Sequence, residues 1–300
     1  MAAIKVWITA FRLRTLPLAL SATILGSFLA YDTDNFKWLV VLFGMLTTLC
    51  LQILSNLAND YGDALKGTDN EKRIGPLRVT QAGLVTKTAM RRMIILFVLL
   101  SLASGMLLIS FGLGNQFSLL YLLFFVLGVL AIFAAIKYTI GKRPYGYAGL
   151  GDVMVFIFFG ILGVAGTYFL HTQQFSPAVL MPASAIGLFS VGVLNLNNLR
   201  DRENDRENGK LTLVVRMGFQ WAKIYHISLL GMGFLLSLVY TLLYFDNLYQ
   251  FLFVLALPLL LSDIRKVVNN TVPVELNPEL KKLALATLFY SLSFGIGLIL

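Results

Sequence analysis

Charge is sparse in this 300-residue chain: 13% of its residues are Asp, Glu, Lys or Arg, where a soluble domain carries about a quarter. A water-soluble fold cannot hide the 58% of residues that are hydrophobic, and a mean hydropathy of +0.79 makes the bilayer the solvent. Cysteine occurs once, as Cys50 in an apolar run. That excludes an intramolecular disulfide and a cysteine zinc cluster, and leaves a buried, inert thiol. The two histidines, His171 and His226, stand far apart and read as packing or interfacial residues rather than ligands. No G-x-G-x-x-G follows a strand. The glycine-rich "GYAGLG" lies between apolar runs, so no bound redox cofactor is expected. At the start, "MAAIKVWITAFRLRTLPLAL" puts Arg12 and Arg14 where the apolar heart of a cleaved signal would run, and no such signal is expected.

What the chain has in abundance is long apolar runs. A bilayer crossing takes about 20 of these residues. Residues 15–31 and 38–59 hold one span each. Residues 93–136, 153–199 and 224–262 hold two each, broken at "GLGNQFS", "HTQQFSP" and "YFDNLY", and 283–300 holds one more. The expectation is an all-α integral membrane protein, one domain over residues 1–300, with nine transmembrane helices. A cytoplasmic N-terminus places every Lys and Arg except Lys37 on the cytoplasmic side, as the positive-inside rule asks. The net charge of +9 is therefore topology rather than a nucleic-acid surface, since the basic residues sit in short blocks between spans. Membrane lipid is an expected partner and nucleic acid is not. The acids follow the same side, apart from Asp32, Asp34 and Asp246, so one face of the membrane collects the polar chemistry.

The ends of the second and sixth spans carry matched polar devices. The first reads "SNLANDYGDALKGTDNEKRIGPLRVTQAG", with Asn56, Asp60 and Asp63 at i, i+4 and i+7. The second reads "LNLNNLRDRENDRENGKLTLVVRMG", with Asn197, Asp201 and Asp205 at i, i+4 and i+8. Such spacings stack side chains on one helix face. Glycine (Gly67, Gly209) and basic residues follow each, which suggests an internal repeat. Acids that merely solvate helix ends would explain one motif. Two matched faces at the same ends of two spans point to function, because polar groups reaching into spans are costly. Four gathered carboxylates repel one another unless cations bind between them. Mg2+ takes oxygen ligands and bridges a few carboxylates to substrate phosphates. Lys72, Arg73, Arg78, Lys142, Arg143 and Lys210 are then partners for a multiply charged anion. Carboxylates, metal and basic residues together make a diphosphate site.

A third patch, "IKYTIGKRPYGYAGLGD" (residues 136–152), sets Tyr138, Lys142, Arg143, Tyr145 and Tyr147 around glycines that permit a tight loop. Its plain reading is a positive-inside loop with interfacial tyrosines.

Taken in order, "RLRTLPLA", "LQILSNLANDYGDALKG", "RIGPLR", "YTIGKRPYGYAGLGD" and "LNLNNLRDRENDRENGKLTLVVRMG" resemble the UbiA superfamily of intramembrane aromatic prenyltransferases. The similarity is greatest to its naphthoate-prenylating branch, which serves menaquinone synthesis. These blocks span residues 12 to 218. The resemblance maps the first acidic motif onto Asn56, Asn59, Asp60 and Asp63, and the second onto Asp201 and Asp205. Many relatives space the first acids four apart; here position 64 is alanine, which leaves Asp63 and Asp69 as alternatives for completing the first metal site. Tyr138 and Lys142 match the family's middle-loop element. Arg12 matches its N-terminal arginine, although Leu13 replaces the usual proline.

The resemblance implies a polyprenyl diphosphate donor, a 1,4-dihydroxy-2-naphthoate acceptor, Mg2+, and release of CO2 to give demethylmenaquinol. Asn56, Asp60, Asp63, Asp201 and Asp205 would hold metal. Arg73, Arg78, Tyr138, Lys142, Arg143 and Lys210 would hold diphosphate, and Asn56, Asn59, Asn197 and Arg12 substrate. It also implies a bacterial inner membrane with the site facing the cytoplasm. Two alternatives stay open on the residues: a related transferase for 4-hydroxybenzoate or a similar acceptor, and a secondary transporter, whose site would lie near the bilayer midplane.

Overall fold

A computed structural model describes residues 4–31, 33, 35–67, 74–75, 77–114 and 118–300. Among them there is no strand. The chain enters through a short helix, α1 (Ile4–Phe11), and the first membrane helix, α2 (Leu16–Tyr31). The long α3 (Trp38–Lys66), α4 (Lys87–Leu113) and α5 (Leu119–Lys137) follow. The next span starts as α6 (Gly151–Val155), widens into a π-helical stretch Phe156–Gly166, and closes as α7 (Thr167–Thr172). Then come α8 (Leu180–Glu207), the short α9 (Leu213–Met217) and α10 (Phe219–Leu243). A 3-10 stretch Leu248–Ala256 leads into α11 (Leu257–Asn269), and α12 (Asn277–Ile299) ends the chain.

Eight of these helical segments are long and apolar enough to cross a membrane. The ninth expected crossing falls on residues 248–269. There the nine-residue 3-10 stretch and the 13-residue α11 follow one another, each short of a crossing by itself.

Packing divides the apolar residues into two clusters. One gathers α1, α3, α4 and α5 around Cys50, Leu54, Leu57, Met90 and Phe97. The other gathers α2, the π-helical stretch, α8, α10, α11 and α12 around Leu25, Ile186, Phe189, Phe253 and Tyr290. Cys50 is buried, as its apolar run required. At 1.5 Å per residue, α3 (29 residues) and α8 (28 residues) are each about 42–44 Å long, beyond the roughly 30 Å hydrocarbon core. The acids sit in the last two turns of each, Asp60 and Asp63 on α3, Asp201 and Asp205 on α8. α3 ends on Gly67 at φ 71, a left-handed cap that glycine adopts without penalty.

The lone lysine assigned to the far side also has a structural reason. Lys37 Nζ donates to Gly112 O at 2.6 Å and to Leu170 O at 3.4 Å, in the last turns of α4 and α7. A cation on C-terminal helix carbonyls is favoured by the helix dipole, although burial lowers the pKa of Lys37 below the ordinary lysine value. Both histidines serve packing. His171 stacks on Phe36 and accepts from the Lys37 backbone amide, while His226 pairs with Asp263 at 2.7 Å.

Candidate active site

The two acidic helix ends belong to different clusters, α3 to one and α8 to the other, and the loop 138–150 touches both. Gly62 makes the approach possible on the α3 side. A Cβ there would lie 2.5 Å from Thr139 Oγ1 and 2.9 Å from its carbonyl carbon. With the hydrogen in its place, Thr139 Oγ1 donates to Ala58 O at 3.0 Å and lies 3.3 Å from Asn59 Oδ1. The loop then crosses to the α8 side, where Leu211 N donates to Tyr147 O at 3.1 Å.

Each aspartate is buried and anchored. Asp60 accepts from two backbone amides, Val79 N at 3.1 Å and Thr80 N at 3.2 Å, and so ties the segment after the first device back onto α3. Asp63 receives Arg78 Nη2 at 3.3 Å on one oxygen and the Tyr147 hydroxyl at 2.9 Å on the other. Asp201 is gripped by Arg200 through Nε at 2.8 Å and Nη2 at 2.5 Å. Asp205 receives Lys210 Nζ at 3.2 Å, and its second oxygen, Oδ2, is buried with no hydrogen-bond partner among the described residues.

The amides are engaged as well. Asn56 Nδ2 donates to Phe11 O at 2.9 Å and Thr15 Oγ1 at 3.0 Å, fastening α3 to the segment around Arg12. Arg12 itself sits in left-handed backbone, φ 51, at the bend between α1 and α2. Asn197 Oδ1 accepts from Arg200 at 2.9 Å.

Burial and neighbouring charge shape the groups around these acids. Desolvation pushes the Tyr138 phenol up from 10.0 to about 12, against the opposing pull of Lys210. It therefore stays protonated and able to donate. Lys210 is desolvated too, yet the carboxylates of Asp205, Asp63 and Asp201 hold it above the ordinary lysine value, so it remains an ammonium. Tyr138 stacks edge-on to Tyr145, whose hydroxyl donates to Ala134 O at 2.8 Å.

The structure thus brings together Asp60, Asp63, Asp201, Asp205, Asn56, Asn59, Asn197, Tyr138, Arg78 and Lys210. Lys142 and Arg143 stay exposed on the loop, and neither pairs with a carboxylate among the described residues. Arg73 and Asp69 lie outside the described residues. Sequence reasoning passed over Arg200, which is 2% exposed and also donates to Asn277 Oδ1 at 3.1 Å. The signal was present in "NLRD", an arginine beside an acid and one turn beyond Asn197, all at a span end.

Among the described residues no three His, Cys, Asp or Glu side chains converge as a ready-made ion cage. The donor set still fits Mg2+, which keeps several waters and takes one or two carboxylates together with substrate phosphates. It is all oxygen, and the unpartnered Oδ2 of Asp205 lies within the same charge cluster as Asp63 and Lys210.

The model of the UbiA prenyltransferase family matches residues 19–297. The chain belongs to that family. It is 46% identical to a 1,4-dihydroxy-2-naphthoate octaprenyltransferase of Escherichia coli, over 99% of this chain and 96% of that protein. It is 43% identical to the enzyme of the same name in Haemophilus influenzae, again over 99% and 96%. Among solved structures, a UbiA homolog from Archaeoglobus fulgidus bound to GPP and Mg2+ superposes with a TM-score of 0.66 at 13% identity, covering 96% of this chain and 99% of that one. An apo UbiA homolog from Aeropyrum pernix gives 0.66 at 17% identity, covering 100% and 98%. At such identities these two establish the UbiA fold, and the family match leaves the transporter alternative without support.

Proposed function

We propose that this membrane protein transfers a polyprenyl group from polyprenyl diphosphate to 1,4-dihydroxy-2-naphthoate, releasing diphosphate and CO2 and giving demethylmenaquinol. The observation that carries the proposal is identity of 46% and 43%, over nearly the whole chain, to enzymes named for that acceptor. The site faces the cytoplasm of a bacterial inner membrane; the one-sided distribution of Lys and Arg supports the orientation, and the bacterial source of the relatives supports the membrane.

Asn56, Asp60, Asp63, Asp201 and Asp205 would hold Mg2+, the backbone amides on Asp60 and the bonds from Asn56 fixing the helix end that presents Asp63. Bound there, Mg2+ neutralises the diphosphate and stabilises it as a leaving group. The residues then work by exchange of partners. Arg78 and Lys210, which neutralise Asp63 and Asp205 in this structure, turn to the phosphate oxygens as charge-assisted donors. Tyr138, held protonated, donates to the same anion. Lys142 and Arg143, exposed on the loop, would add positive potential, and the resemblance assigns Arg73 to the diphosphate as well. Arg12, Asn56, Asn59 and Asn197 would contact substrate.

As the allylic C–O bond breaks, its electron pair leaves with diphosphate. The naphthoate ring carbon bearing the carboxylate forms the new C–C bond, and the C–CO2 bond then breaks to restore the aromatic ring. The reaction needs no nucleophilic side chain. The test is an assay of purified protein with polyprenyl diphosphate and either 1,4-dihydroxy-2-naphthoate or 4-hydroxybenzoate, with and without Mg2+. Mg2+-dependent prenylation of the naphthoate with CO2 release is expected. Transfer to hydroxybenzoate alone refutes the acceptor, and transfer to neither refutes the activity.

A further inference from the structure

Tyr147 touches both acidic devices. Its hydroxyl donates to Asp63 at 2.9 Å, and its ring centroid lies 4.1 Å from Lys66 Nζ and 5.8 Å from Lys210 Nζ. Its carbonyl accepts from Leu211 N at 3.1 Å. Asp63 and Lys66 belong to the end of α3, while Lys210 and Leu211 follow the end of α8. A second fastener lies outside the acidic cluster. The exposed side chain of Arg216 donates from Nη2 to Ala148 O at 2.8 Å and from Nε to Leu211 O at 3.2 Å. Between them Gly149 adopts φ +78, and a Cβ there would stand 3.1 Å from Leu211 O. The loop is thus seated by one half-buried and one exposed contact set, over a glycine that lets it sit flush.

We propose that Tyr147 is a positioning residue that sets the spacing of the two metal–diphosphate half-sites, with Arg216 locking its loop from the solvent side. The inference rests on the reading of the site as a diphosphate site. A phenol on Asp63 aims one oxygen and restricts the carboxylate's rotation. The ring lies within cation–π reach of both Lys66 and Lys210, and so helps to keep the Lys210 ammonium beside Asp205. Removing the hydroxyl leaves the ring in place and frees Asp63 to turn, so ion binding weakens while the helices stay packed.

The test uses full-length protein in detergent, with Mg2+ titrated in the presence of inorganic pyrophosphate and thermal unfolding as the readout. Wild type is expected to be stabilised with a defined Mg2+ midpoint. Tyr147→Phe should unfold near the wild-type temperature without ligand, yet need about tenfold more Mg2+, the value of a hydrogen bond to a charged group. Arg216→Gln should shift the midpoint the same way, by about threefold. In turnover, Tyr147→Phe should raise KM for the diphosphate and leave KM for the aromatic acid unchanged. A Tyr147→Phe midpoint within about twofold of wild type overturns the proposal. Should that variant not fold, an unshifted midpoint in Arg216→Gln overturns it. A wild type blind to Mg2+ and pyrophosphate overturns the diphosphate reading itself, and this inference with it.

Discussion

Replacing Arg200 with methionine would expose how the second acidic helix end is held. The Arg200 side chain is fully enclosed and that of Asp201 is 7% exposed, so their pairing takes place almost without water. Arg200 makes two bonds to Asp201 and one each to Asn197 and Asn277. Removing one partner of a buried pair leaves the other uncompensated, at a cost of about 3–5 kcal/mol. At roughly 2 °C per kcal/mol for a chain of this size, Arg200→Met should lower the unfolding midpoint in detergent by about 6–10 °C. Asp201→Asn leaves the guanidinium half-satisfied and should cost less. The double variant should recover about 2 kcal/mol relative to the sum of the singles, because neither buried charge then stands alone. Unfolding of the three variants, followed by tryptophan fluorescence in one detergent, decides the matter. An Arg200→Met midpoint within about 2 °C of wild type, or strict additivity in the double variant, refutes the reasoning.

Asp60→Asn and Asp201→Asn should each cut prenyl transfer by orders of magnitude while the protein still inserts and folds. Near-normal turnover of either at saturating Mg2+ would remove that residue from the site. Gly62→Ala forces a methyl into Thr139 and should destabilise by about 1–3 kcal/mol, with a raised KM for the diphosphate; unchanged unfolding and KM would contradict the close approach. Tyr138 titrates at about 12 rather than 10.0 because burial penalises its anion. Its contribution to stability is whole below pH 10 and is lost as pH rises to 12. Wild type should therefore lose more stability over that window than Tyr138→Phe, and parallel curves would argue against a desolvated phenol. Lys37→Gln should lower stability by about 1–2 kcal/mol through the loss of its helix-end contacts, with activity at saturating substrate preserved.

Sparse charge, apolar runs and the one-sided basic blocks sufficed to read an all-helical membrane protein with a single polar face. Solvent transfer depends on composition and run length, which are linear properties of the chain. The i, i+4 spacing of Asn56 with Asp60 and of Asn197 with Asp201 was enough to put acids on two helix faces, because helical periodicity is local.

Which charge neutralises which acid was decided only by tertiary structure. On a face crowded with arginine and lysine, every cation is a candidate in sequence, and the choice depends on which helix ends approach and where a loop crosses. Asp60 faces backbone amides 79 and 80, Asp201 takes its own neighbour Arg200, and Lys142 and Arg143 are left exposed. Tyr147 reads in sequence as one more interfacial tyrosine. It becomes a bridge because Gly62 lets α3 close on Thr139 and Leu211 takes up the Tyr147 carbonyl, contacts between residues 64 or more positions apart.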